Sequence, residues 1–252
     1  MRLLKLLILA LLTSAAAAQA QDAQALVDAA DRYRTGGESL QVETQIQVYG
    51  RDGSAEKERR YTVFVQPNRQ SLVLMRSPAE QGQKVLMLGD DFWLLMPASQ
   101  RPLRITPSQK LLGDAATGDI ATMSWRDDYQ ARLVGEERCD IGGSNSNNNV
   151  PCWHLHLEAQ RKGVSYQRIE LWLGKAKHEP IKAELYVQSE KLAKEARFVI
   201  DPKQPQWVSE MVLTDRLSNH KETRVRYLAR TPRQIPETWL NPMFLARNPA
   251  LD

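Results

Sequence analysis

The segment KVLMLGDDFWLLMPASQRPLRI, Lys84 to Ile105, opens with two short strands joined by Gly89-Asp90-Asp91, apolar at nearly every position. Successive side chains of a strand point to opposite faces, so a strand with one wet face alternates apolar and polar residues. Val85-Leu86-Met87-Leu88 and Phe92-Trp93-Leu94-Leu95-Met96 do not alternate. Both faces of this hairpin must therefore be dry, and something has to cover the second one.

Upstream, DAQALVDAADRYR (22–34) has helical spacing, with Leu26, Ala29, Ala30 and Tyr33 on one face, and Gly36-Gly37 ends it. The period then changes to two. Val42, Thr44, Ile46 and Val48 share a face against Gln41, Glu43, Gln45 and Gln47. RDGSAEKE is a polar hairpin tip around Asp52-Gly53, and Tyr61, Val63 and Val65 return in phase. RQSLVLMRSP supplies the next strand. The stretch 106–123, TPSQKLLGDAATGDIATM, reads as two short helical turns broken by glycine. Strands resume at 128–136, 152–159, 164–173, 180–188, 195–200, 206–214 and 222–229, and PETWLNPMFLAR forms a short helical close. With one leading helix, one helical insert and no Gly/Ser linker, the pattern predicts a mainly β protein with a few helices, built on a single curved antiparallel sheet.

The chain starts with Arg2 and Lys5, an apolar run from Leu6 to Leu12 and Ala-rich sequence ending Ala18-Gln19-Ala20. That is the layout of a secretory leader (1–20) cut between Ala20 and Gln21, leaving 21–252 as one exported domain. The apolar run is too short to span a bilayer. The net charge is +4, and two of those charges lie in the leader, so the remainder gives no footing for nucleic acid.

Cys139 and Cys152 flank the low-complexity GGSNSNNN (142–149). Two cysteines in an exported protein read as a disulfide, stabilising by about 3 kcal/mol for so short a loop. His154, His156 and Glu158 share one strand face, the minimal start of a metal site, with Trp153, Leu155 and Leu157 opposite. The simpler reading turns those histidines to water. There is no nucleophile elbow, phosphate loop, dinucleotide fingerprint or H-E-x-x-H, so nothing calls for an enzyme, a cofactor or a resident metal.

The second face of the 84–96 hairpin could be covered by the 22–34 helix, which is Ala-rich and thin, or by the glycine-broken insert. A half-filled apolar interior under movable helices suits an acyl chain, at about 0.8 kcal/mol per buried methylene. A fully packed interior is the alternative.

SPAEQGQKVLML followed by DDFWLLMPASQRPLRI, then ITPSQKLLGDAATGDIA, IELWLGKAKHEPIKAELY and IPETWLNPMFLAR, resemble in order the periplasmic outer-membrane lipoprotein-sorting proteins. This is the LolA/LolB-like superfamily, in the branch found beside transporter permeases. Leu95 departs from the family's frequent aromatic, as does the Asn-rich loop. The resemblance implies an unclosed, strongly curved antiparallel β-barrel plugged by short helices, with an apolar cavity for the acyl chains of a lipoprotein or another lipid. On that basis Met87, Trp93, Leu95, Leu155, Leu157, Leu171 and Leu185 are the expected cavity lining. Leu111, Leu112 and Ile120 are the expected lid. The inward phase of the 84–96 hairpin stays open. The implied protein is a monomeric, non-catalytic periplasmic carrier working with an inner-membrane permease or transporter. The alternatives are an RseB-like sensor or adaptor for a membrane protein, and a metal-dependent enzyme at His154 and His156.

Overall fold

The computed structural model describes residues 23–36, 39–99, 101–121, 124–141, 149–215 and 220–251. The leader, the Ala20/Gln21 junction and most of the Asn-rich loop lie outside these residues. Helix α1 covers 23–35. The first group of strands is β1 (Leu40–Gly50), β2 (Ala55–Gln66), β3 (Gln70–Met75), β4 (Lys84–Leu88), β5 (Asp91–Leu95) and β6 (Leu103–Ile105). A small hairpin, β7 (Lys110–Leu112) and β8 (Ala115–Ala116), leads into α2 (Thr117–Ala121). The second group is β9 (Tyr129–Asp140), β10 (Asn149–Ala159), β11 (Arg168–Gly174), β12 (Pro180–Tyr186), β13 (Leu192–Ile200), β14 (Val208–Thr214) and β15 (His220–Pro232). A 3-10 turn (Glu237–Leu240) and α3 (Pro242–Ala246) follow.

Thirteen strands form one antiparallel sheet in the order β6-β5-β4-β3-β2-β1-β15-β14-β13-β12-β11-β10-β9. The chain meanders outward from β1 to the edge at β6, then reaches the far edge at β9. From there it meanders back until β15 pairs with β1, over a ladder running from Leu40 opposite Pro232 to Gly50 opposite His220. The link from β6 to β9, which contains β7, β8 and α2, therefore has to pass from one edge of the sheet to the other. A crossing segment rests on a sheet face, and this explains why every residue of α2 is buried.

The expected unclosed, strongly curved β-barrel is corrected in its shape: the sheet is unclosed, but it is an open antiparallel sheet and not a strongly curved barrel. The sheet is open: β6 and β9 are its two ends, and no ladder joins them among the described residues. Closure would require edge strands of matching length. β6 has three residues, all at least partly exposed, whereas β9 has twelve. The mainly β class with few helices stands; the barrel does not.

Two apolar layers sandwich the first half of the sheet. On the face bearing α1, here called inner, lie Val73, Met75, Val85, Met87 and Phe92, packed in one cluster with Ala23, Val27 and Ala30 of the helix. On the outer face lie Phe64, Leu72, Leu74, Leu86 and Leu95, buried beneath Ile235, Trp239, Leu245 and Ala246. The doubly apolar hairpin is thus covered on both sides by this chain's own residues, and the outer cover is the C-terminal segment. That segment is tied down locally. Asn241 caps α3, its side chain accepting from the Met243 and Phe244 N–H groups, with Pro242 at the first helical position. Trp239 meets Phe64 edge to face at 5.6 Å, and Lys84 Nζ donates to Asn248 Oδ1 at 2.6 Å. The second half of the sheet has a wetter outer face, apart from a patch of Trp172 and Ile181 around the Cys139–Cys152 disulfide.

Residues 106–123 depart from the expected pair of helical turns. Only the latter part is helical; Lys110–Ala116 is a hairpin turning at Gly113, whose φ of +56° suits glycine. A Cβ there would also meet Thr223 Oγ1 at 2.5 Å and Val48 Cγ2 at 2.7 Å, so the hairpin sits tightly on β1 and β15.

Candidate lipid-binding interior

Apolar residues from both halves of the sheet meet on the inner face in a single cluster. β4 contributes Met87, β10 contributes Leu155 and Leu157, β11 contributes Leu171 and β12 contributes Leu185. The insert adds Leu112 and Ile120, with Leu111 partly buried against the same cluster. Eight of the ten residues expected to line a cavity or its lid are therefore brought together. Trp93 and Leu95 are not among them, because the β5 alternation sends Phe92 inward and both of those outward beneath the C-terminal segment.

The cover over this wall is thin and polar at its attachments. The buried stripe of α1 runs through Ala23, Val27, Ala30, Asp31 and Arg34, one step round the helix from the face expected from Leu26, Ala29, Ala30 and Tyr33. Apolar periodicity could not find this stripe, because two of its members are charged. Asp31 Oδ2 accepts from the backbone N–H groups of Trp125 (2.7 Å) and Arg126 (2.9 Å) and from the Ser124 hydroxyl (3.1 Å). Burial pushes its carboxyl up to about 6, against the lowering effect of Arg34 and those donors. Arg34 lies 3.9 Å over the Trp125 ring and 3.5 Å from Asp31. Gln24 treats the edge strand as a neighbouring strand would: its Oε1 accepts from the Ala131 N–H, and its Nε2 donates to the Tyr129 carbonyl.

A second clasp holds the insert. Asp119 of α2 accepts from Lys194 Nζ on β13 (2.6 Å), the Tyr166 hydroxyl (2.7 Å) and the Ala116 N–H (2.8 Å). Lys194 also donates to the Asp114 carbonyl at 2.6 Å. Burial, reinforced by the Asp119 charge, holds the Tyr166 hydroxyl well above its ordinary range. Beside these groups is a void of about 50 Å³, bounded by Arg34, Tyr166, Ile169, Leu185, Phe198 and Met211. The space admits a few waters and is well below the roughly 300 Å³ at which small-molecule sites begin. Nothing in the sequence marked these clasps, since Asp31 and Arg34 read as an ordinary i,i+3 surface pair and Asp119 and Lys194 lie 75 positions apart.

His154 and His156 are on the outer face, partly exposed and paired with carboxylates. Glu170 contacts both, at 2.9 Å each, and Glu137 contacts His154 at 2.8 Å. Burial raises the Glu170 carboxyl, but hydrogen bonds from His156, His154 and Arg168 outweigh it and hold the group below its usual value. Among the described residues no set of three or more His, Cys, Asp or Glu side chains is placed to hold a metal.

The fold is that of the LolA/LolB-type lipoprotein-sorting superfamily, by structural homology at high coverage. A LolA superfamily protein from Nitrosomonas europaea is 29% identical, with a TM-score of 0.76, over 87% of this chain and 97% of the other. A putative outer membrane lipoprotein-sorting protein domain from Vibrio parahaemolyticus (17% identical, TM-score 0.68, 90% and 100% covered) shares the fold. So does a DUF1329 family protein from Desulfovibrio piger (19%, 0.67, 88% and 97%). None of the curated proteins compared matches the chain. A family model described as "Uncharacterized protein" matches residues 67–247, and the chain belongs to that family. The chain is also a structural homologue of the LolA superfamily.

Proposed function

We propose that the protein carries lipidated cargo across the periplasm, with acyl chains taking the place of α1 and the insert on the inner wall. The observation that supports this most is the mismatch between wall and cover. The wall is a continuous apolar surface drawn from both halves of the sheet, whereas the cover meets it with small side chains such as Ala23 and Ala30 and is anchored through charged groups. Lifting the cover exposes Asp31, Arg34, Asp119 and Lys194, which water solvates readily, along with the apolar Val27, Leu112 and Ile120, which it does not. An alkyl chain then restores the lost apolar contact: about ten buried methylenes supply about 8 kcal/mol. Cargo would be a lipoprotein or another lipid, handed on by an inner-membrane permease or transporter that competes for the cover. Residues 1–20 are the export leader and 21–252 the carrier domain.

Native mass spectrometry of protein taken from a periplasmic extract tests this directly. Lipid adducts are the expected result. Lipid-free preparations that also fail to bind a fluorescent fatty acid would overturn it.

A further inference from the structure

Two surface grooves of opposite character meet at the C-terminal end of α1. The first, about 380 Å³, is floored by Ile141, Ile181, Phe198, Val199 and Ile200. Val199 and Ile141 are 44% and 50% exposed, so this is open apolar surface. Asp140 and Glu179 at its margin are balanced by Lys177 and Arg197. The second groove, about 680 Å³, is lined by Arg32, Lys177, His178 and Arg230 with Tyr33 and Trp207, and no acidic residue lines it. Both volumes fall in the range of small-molecule sites, about 300–1,000 Å³. Tyr33 and Lys177 line both grooves, so the two are contiguous.

Arg230 brings its cation to the lining of the basic groove. Arg230 is wedged between Trp207 (4.8 Å) and Tyr227 (5.0 Å), with one guanidinium nitrogen donating to the Val208 carbonyl at 2.6 Å. Its buried Nε has no hydrogen-bond partner. Arg32 is already shared with Asp28 at 2.8 Å, which leaves Lys177 and Arg230 as the cations to meet a ligand. Tyr33 donates to the Lys177 carbonyl at 2.9 Å and so ties the end of α1 to the rim between the grooves.

We propose that these grooves form one external site for an anionic single-chain amphiphile, the alkyl tail lying along the apolar groove and the phosphate or carboxylate head at Lys177 and Arg230. The complementarity is of two kinds: apolar floor to tail, and cations to head in a groove with no acidic side chain in its lining, Glu179 and Asp201 lying outside it. The proposal refines the carrier reading by naming a cargo class, and it rests on that reading only for its biological purpose.

The test is titration of the full-length mature protein with lysophosphatidylglycerol and lysophosphatidylcholine of equal chain length, below micelle formation, and with inorganic phosphate. The expected result is about tenfold tighter binding of the anionic lysolipid, roughly 1.4 kcal/mol. Lys177→Glu should erase that preference, and Val199→Asp should weaken both lysolipids alike; both residues are exposed, and thermal melts verify folding. Equal binding of the two lysolipids, unmoved by Lys177→Glu, overturns the external site and leaves the carrier reading intact. Phosphate binding as tightly as the anionic lysolipid overturns the amphiphile in favour of a free anion. Failure of both lysolipids to bind overturns this site and counts against the carrier reading as well.

Discussion

At the scale of single residues, Asp31 is the most informative side chain. Its carboxyl is raised from 3.8 to about 6, chiefly by burial. A raised acid binds its proton more tightly in the folded state than in the unfolded one. Its contribution to stability is therefore fully present below pH 3.8 and is lost as the pH climbs through about 6, a loss of at most about 3 kcal/mol. Urea unfolding from pH 4 to pH 7.5 should show this slope in the wild type and lose it in Asp31→Asn, whose amide oxygen can still accept from Trp125 and Arg126. At neutral pH, then, α1 is held less firmly than at acid pH, as the proposed displacement of the cover would need. Gly113 is the opposite case, a residue that cannot be exchanged. Gly113→Ala combines a left-handed φ with a collision against Thr223 and Val48, and should cost about 2 kcal/mol or more in denaturant melts.

At the scale of elements, the C-terminal segment and α1 differ sharply in how they bind the sheet. The segment uses bulk: Trp239 is 8% exposed and packs on Phe64. Trp239→Ala should lower unfolding free energy by about 3–5 kcal/mol, and the variant should bind a hydrophobic dye at the uncovered outer face of β3–β5. This division also explains what could be read from the sequence. Strand phase in β1 was legible because Val42, Ile46 and Val48 alternate with glutamines and Glu43. The dryness of both faces of the 84–95 hairpin was legible too, but the identity of the outer cover was not, since it depends on a contact between Leu86 or Leu95 and residues some 150 positions away. The face of α1 was misjudged because Asp31 and Arg34 are buried only as partners of Ser124, Trp125 and each other. That the sheet is open was expected from the resemblance; that it does not curl into a barrel was out of reach, because no apolar pattern encodes it.

At the scale of the whole molecule, the route from β6 to β9 sets the mechanics. One crossing segment carries the insert, and α1 lies beside it, so loading the inner wall must disturb both while sparing the strands beneath. Hydrogen exchange followed by mass spectrometry should show faster exchange in 23–35 and 117–121 on loading with a fatty acid, with 152–158 and 168–174 unchanged. Uniform protection across all four segments would contradict displacement of the cover. The same motion has a consequence at the rim. Gln24 occupies hydrogen-bonding positions on β9 that a fourteenth strand would otherwise claim. When the helix departs, that amide departs with it, and a bare β edge becomes available for backbone pairing. On the carrier reading proposed above, loading would thus be signalled through newly freed peptide groups, without any side chain on β9 having changed.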